Sequence, residues 1–92
     1  VVVMEKSSSV FRELMLVKVW ATSGSRAGLI EICNVFGATI VDLSPTTATI
    51  EMTANPSKNN SLLDLLEEYG IMEIARTGIT GLQRGERHLS LD

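Results

Sequence analysis

Arg12-Glu13-Leu14-Met15-Leu16-Val17-Lys18-Val19-Trp20 decides the fold. Met15, Val17 and Val19 fall on one side of this stretch, and Leu14, Leu16, Lys18 and Trp20 on the other. A period of two is the repeat of a β-strand, whose successive side chains point to opposite faces. Far downstream, Tyr69-Gly70-Ile71-Met72-Glu73-Ile74-Ala75-Arg76-Thr77-Gly78 supplies a matching strand from Ile71 to Thr77.

Working outward, Thr22-Ser23-Gly24-Ser25 reads as a turn, with Ser23 or Ser25 as helix N-cap. Leu29, Ile32, Cys33 and Phe36 then form one apolar helical stripe, ended by Gly37. Ala38 to Leu43 is rich in β-branched residues and reads as a strand with Thr39, Val41 and Leu43 on one face. Ser44-Pro45-Thr46 connects it to a third strand, Thr47 to Thr53, in which Ala48, Ile50 and Met52 alternate with polar residues. Asn55-Pro56 is a helix start, a capping side chain followed by Pro at the first helical position. Its stripe is Leu62, Leu65, Leu66 and Tyr69, with Asp64, Glu67 and Glu68 outward, and Gly70 closes it. Gly78 marks a bulge or bend before Ile79 to Arg84.

Strand, helix, strand, strand, helix, strand predicts an α+β domain, a ferredoxin-like βαββαβ sandwich. Its sheet would be four-stranded and antiparallel, with both helices on one face. The expected organisation is a linker or N-terminal extension over 1–11, the folded domain over 12–84, and a flexible tail over 85–92.

Composition narrows the function. The chain has 92 residues, 45% of them hydrophobic but only 4% aromatic, so aliphatic packing must build one small core. A net charge of −3 argues against nucleic-acid binding. An RNA-recognition module of the same element order would also need stacking rings, and the third strand offers Thr47, Thr49 and Glu51 instead. No apolar run reaches the roughly 20 residues that span a bilayer, so no membrane partner is expected. Cys33 reads as a reduced, buried small hydrophobe, and His88 stands apart from it, so no metal site is expected.

Two helices leave one side of such a sheet uncovered. Leu14, Leu16, Lys18 and Trp20 should lie there, with Lys18 within reach of Glu51 as a cross-strand ion pair. Either a partner (another copy or another protein) or the chain's own ends, Val1 to Val3 or the C-terminal segment, could cover this surface. The rarity of such patches on monomers favours a partner. Arg76, at a strand end before Gly78, reads either as a docking point for a partner's carboxylate or as a surface Arg paired with Glu73 or Glu51. The Gly24-Ser25-Arg26-Ala27-Gly28 loop matches no phosphate-binding pattern and reads as a capped helix start with a solvated Arg. Asp42 is expected to bond local backbone before the hairpin.

Several words in order carry a resemblance: Arg12 to Val19; Val35-Phe36 with Ala38; Ile40-Val41-Asp42-Leu43-Ser44; Thr49-Ile50-Glu51 with Thr53; and Tyr69-Gly70-Ile71 with Glu73-Ile74-Ala75-Arg76-Thr77-Gly78. Over Arg12 to Arg84 the chain resembles the C-terminal domain of the acetolactate synthase (acetohydroxyacid synthase) small subunit. The resemblance implies a non-catalytic regulatory subunit of branched-chain amino acid biosynthesis. It would bind and activate the large catalytic subunit and support feedback inhibition by valine or a related amino acid. Thiamine diphosphate, magnesium and FAD would belong to that large subunit, with no cofactor in this chain.

The compartment would be cytoplasmic, or a plastid or mitochondrion in a eukaryote, and a homo-oligomer is expected. Candidate contact residues are Leu14, Leu16, Lys18, Trp20 and Arg76. No Asn-x-Pro-Gly-Val-Leu opening of an amino-acid-binding domain is present, so the chain is expected to be the C-terminal half alone. Gly37 and Ile79 stand where the family usually has basic residues, and Ala54 where a Gly is common. The competing reading is an ACT-like module that traps an amino acid as a dimer, near Ser23 to Gly28. A small hydrolase of acylphosphatase type lacks its Gly-rich signature here.

Overall fold

The structure, a computed structural model, describes residues 9–87. Its elements are β1 (Ser9–Trp20), α1 (Arg26–Phe36), β2 (Thr39–Leu43), β3 (Thr47–Ala54), α2 (Pro56–Leu66), β4 (Ile71–Arg76) and β5 (Thr80–Gln83), with a 3₁₀ turn over Glu67–Tyr69. The sheet runs in the order β2-β3-β1-β4, and every pair in it is antiparallel. This is the expected ferredoxin-like sandwich, extended to five strands by β5, which also pairs with β1.

The core forms where the alternating strands meet the two helices. Met15, Val17, Val19, Ala48, Ile50 and Met52 supply the sheet side, and Leu29, Cys33, Leu62 and Leu66 the helix side. Helix α1 starts at Ser25, but that hydroxyl serves the preceding turn, accepting from Thr22 N–H at 3.0 Å and making no cap bond. Gly37 ends the helix in the left-handed region, φ 73°, and Ala38 N–H donates to Cys33 O at 2.8 Å. Helix α2 begins as expected, with Asn55 Oδ1 accepting from Lys58 N–H at 2.8 Å and Pro56 at the first position. The hairpin bond comes from Ser44, not Asp42: its Oγ accepts from Thr47 N–H at 2.9 Å.

Three differences from expectation have physical causes. The fifth strand was hidden by Gly81, which interrupts its pattern. Phe11 lies across that position, so close that a Cβ would sit 2.6 Å from its ring. Ser9, Val10 and Phe11, assigned to the extension, are already part of β1. Leu65 is 45% exposed, and the buried place in the stripe goes to Asn59.

Leu62 is fully buried. Leu62→Ala should lower unfolding free energy by about 3 kcal/mol, the cost of a core cavity. Leu65→Ala should cost under about 1 kcal/mol. Urea midpoints at unchanged slope will separate the two.

Candidate protein-docking face

β1 occupies the middle of the sheet, so its alternation delivers side chains to both faces. Opposite the helices, Leu14, Leu16, Lys18 and Trp20 face Thr53, Glu51, Thr49 and Thr47 of β3. On the other edge, Leu16 and Lys18 face Ala75 and Glu73 of β4. Leu14, Leu16 and Lys18 are half-buried by these neighbours, and Trp20 is 52% exposed. Leu16, Lys18, Thr49, Glu73 and Ala75 line a shallow hollow of about 170 Å³. Among the described residues no helix covers this face.

The expected Lys18–Glu51 pair is not formed. Lys18 Nζ donates to Glu73 Oε2 at 2.9 Å, because the register sets Glu73 beside Lys18 and puts Glu51 across from Leu16. The Lys18 side chain is 40% and that of Glu73 72% exposed, so water screens the pair and it adds no more than about 0.5 kcal/mol. Trp20 is anchored at its backbone, where its N–H donates to Gly70 O at 3.1 Å. Its indole rests against Gly70, leaving 2.9 Å between Cδ1 and any added Cβ. The C-terminal segment does not fold over these residues as far as it is described. β5 lies along the edge of β1, continuing the side taken by β4. Val1 to Val3 lie outside the described residues.

Arg76 is placed elsewhere. It sits opposite Met15, and therefore on the helix side, away from the other four candidates. Its Nε donates to Glu13 Oε1 at 2.9 Å, Nη2 reaches the same oxygen, and Nη1 donates to Asn60 Oδ1 at 2.8 Å. Neither Glu73 nor Glu51 is its partner. Asn59 completes the cluster, donating from Nδ2 to Glu13 O at 2.9 Å and to Glu13 Oε1 at 3.3 Å. Hydrogen bonding from Arg76 holds the Glu13 carboxyl below its ordinary value, against the opposing effect of burial and with added help from Asn59.

Glu13 and Asn59 were missed as a site, although both carried a signal. Glu13 shares the parity of Met15 and Val17, and Asn59 stands three residues before Leu62 on the buried stripe. A polar residue at a core-facing position needs a partner.

The other candidates are structural. Arg26 donates from Nη2 to Ser44 O at 2.8 Å and ties α1 to the hairpin instead of standing in solvent. Asp64, Glu67 and Glu68 are exposed. Cys33 is buried under α1, and desolvation pushes its thiol pKa up, away from reactivity. His88 lies outside the described residues. Among the described residues no group of three His, Cys, Asp or Glu side chains could hold a metal, and no helix is long and apolar enough to cross a membrane. The site offers contact chemistry: apolar surface, an indole and a charge pair.

Residues 12–85 match the family described as the small subunit of acetolactate synthase. The acetolactate synthase small subunit of Mycolicibacterium smegmatis is 46% identical over 87 residues, covering 95% of this chain and 51% of that protein. The probable small subunit of Methanothermobacter thermautotrophicus is 45% identical over 85 residues, covering 91% and 51%. The crystal structure of the acetolactate synthase small subunit from Thermotoga maritima superposes with a TM-score of 0.82 at 32% identity, over 89% of this chain and 50% of that one. The chain therefore spans about half the length of these relatives.

The depressed Glu13 pKa sets a sign for stability against pH. Its contribution is present above the ordinary glutamate value of 4.5 and is lost as pH falls through the lower folded-state value. Glu13→Gln should lower the urea midpoint at neutral pH, and its gap to the parent should narrow steadily on acidification below about pH 5. A gap that stays constant with pH would show that Glu13 does not act through its charge.

Proposed function

Since the chain belongs to the acetolactate synthase small-subunit family, we propose that it is a regulatory, non-catalytic domain that docks on the large catalytic subunit through its open sheet face. The observation carrying this reading is the uncovered row Leu14, Leu16, Lys18 and Trp20, apolar over most of its length. Such a row is suited to burial against another protein, with Trp20 as the anchor that contributes most when desolvated. Arg76 plays no direct part, because its donors are engaged by Glu13 and Asn60.

The mechanism is linkage. A domain that binds one conformation of the catalytic subunit better than the others raises the population of that conformation, and with it the rate. Feedback inhibition by valine, leucine or isoleucine would act in reverse, through a signal that weakens this preference. Thiamine diphosphate, magnesium and FAD would be held by the catalytic subunit. The compartment would be the cytoplasm, or a plastid or mitochondrion in a eukaryote. The competing idea, amino-acid capture near Ser23 to Gly28, is less favoured because the Ser25 hydroxyl and Arg26 Nη2 are engaged within the fold.

Acetolactate formation by the purified catalytic subunit, measured with and without this chain, tests the proposal. Addition should raise the rate, and the two proteins should co-elute. Leu16→Glu combined with Trp20→Glu should weaken association by a factor of roughly 30 or more, about 2 kcal/mol, with the far-ultraviolet spectrum unchanged. Co-elution unaffected by both charges would remove the open face from the reading.

A further inference from the structure

On the helix side of the sheet, β3 turns away into α2 while β1 runs on beside β5. There the structure holds a groove of about 930 Å³. Phe11, Phe36 and Ile79 give it apolar walls, and Arg12, Lys58 and Arg84 give it positive charge. Among the described residues no Asp or Glu lines it. Three of the chain's eight basic residues thus converge on one groove, in a chain of net charge −3. None of the three has a carboxylate partner among the described residues, where the two ion pairs take Lys18 and Arg76. Helix α2 starts at the same wall with Pro56, and its positive N-terminal end adds to the field.

The backbone supplies an independent observation. From Met15 to Val19, β1 is paired on both edges, by β3 and by β4. From Ser9 to Arg12 it is paired by β5 alone. The edge left open continues the line of β3, which stops at Ala54 opposite Glu13. Among the described residues no strand pairs with that edge, but its carbonyls are engaged: Phe11 O accepts from Arg12 Nη1 at 2.7 Å and Glu13 O from Asn59 Nδ2 at 2.9 Å, and Ser9 is buried.

We propose that this groove docks an extended acidic segment of a partner polypeptide, whose carboxylates alternate with apolar side chains. Phe11, Phe36 and Ile79 would take the apolar side chains, and Arg12, Lys58 and Arg84 the carboxylates. A second copy presenting the same groove is a poorer fit, since it would bring like charges together. The groove lies on the opposite side of the sheet from Leu16 and Trp20, so its occupancy does not depend on the open-face reading.

Fluorescence anisotropy on the full chain tests the proposal, using a labelled decapeptide that alternates Glu or Asp with Leu and Val. A Lys-for-acid version of the peptide is the control. The acidic peptide should bind, more weakly as salt rises from about 50 to 500 mM, and the basic one should not. Lys58→Glu with Arg84→Glu, both at exposed positions, should weaken binding by about tenfold or more. Leu16→Glu with Trp20→Glu should leave it unchanged, which separates failure of this inference from failure of the open-face reading. Equal binding of the two peptides, or indifference to the Lys58 and Arg84 reversals, overturns the proposal. Self-association of the chain that Lys58→Glu abolishes overturns it too, assigning the groove to a contact between copies.

Discussion

The structure depends on the pleat of β1. This central strand is apolar on both faces: Met15, Val17 and Val19 on one, Leu14 and Leu16 on the other. Hydrophobicity alone therefore chooses weakly between the two ways up, and a slip of one residue would exchange core for surface. Polar residues at the ends of the row settle it. Lys18 must reach water, and it does so on the open side beside Glu73. Glu13 is carried to the helix side, where Arg76 and Asn59 satisfy it. Any other register would strand a charge, a heavier penalty than any difference in apolar contact.

Much of this was legible in the sequence. The alternation of β1 and β3, the Leu29–Cys33 stripe, the Gly37 stop and the Asn55-Pro56 start each rest on a local rule, and each appears in the structure. What the local pattern does not carry is non-local. β5 exists because the first four residues of β1 overhang the sheet and need an edge, a fact of register that no short window contains. The partner of Lys18 likewise depends on which strand brings its acid alongside: β4 brings Glu73 to Lys18, whereas β3 sets Glu51 against Leu16. Its position near a strand end says nothing of which face Arg76 takes. Parity with Met15 sends it to the helix side.

The two faces of the sheet therefore have different tasks. One is closed by the helices and stabilised by aliphatic burial with a single polar cluster at its margin. The other carries no helix among the described residues and is the face proposed above for docking. Because both faces share β1, a partner pressing on Leu16 is one peptide unit from the Val17 side chain in the core. Close-packed interiors transmit such small displacements.

Cys33 has one more consequence. Its sulfur is the sole thiol of the chain, sealed beneath α1 at 3% accessibility and held in its protonated form. Alkylating reagents can reach it only when the helix lifts from the sheet. The rate of its modification thus counts openings of the domain, making the molecule a built-in clock for its own breathing, with no engineered label required.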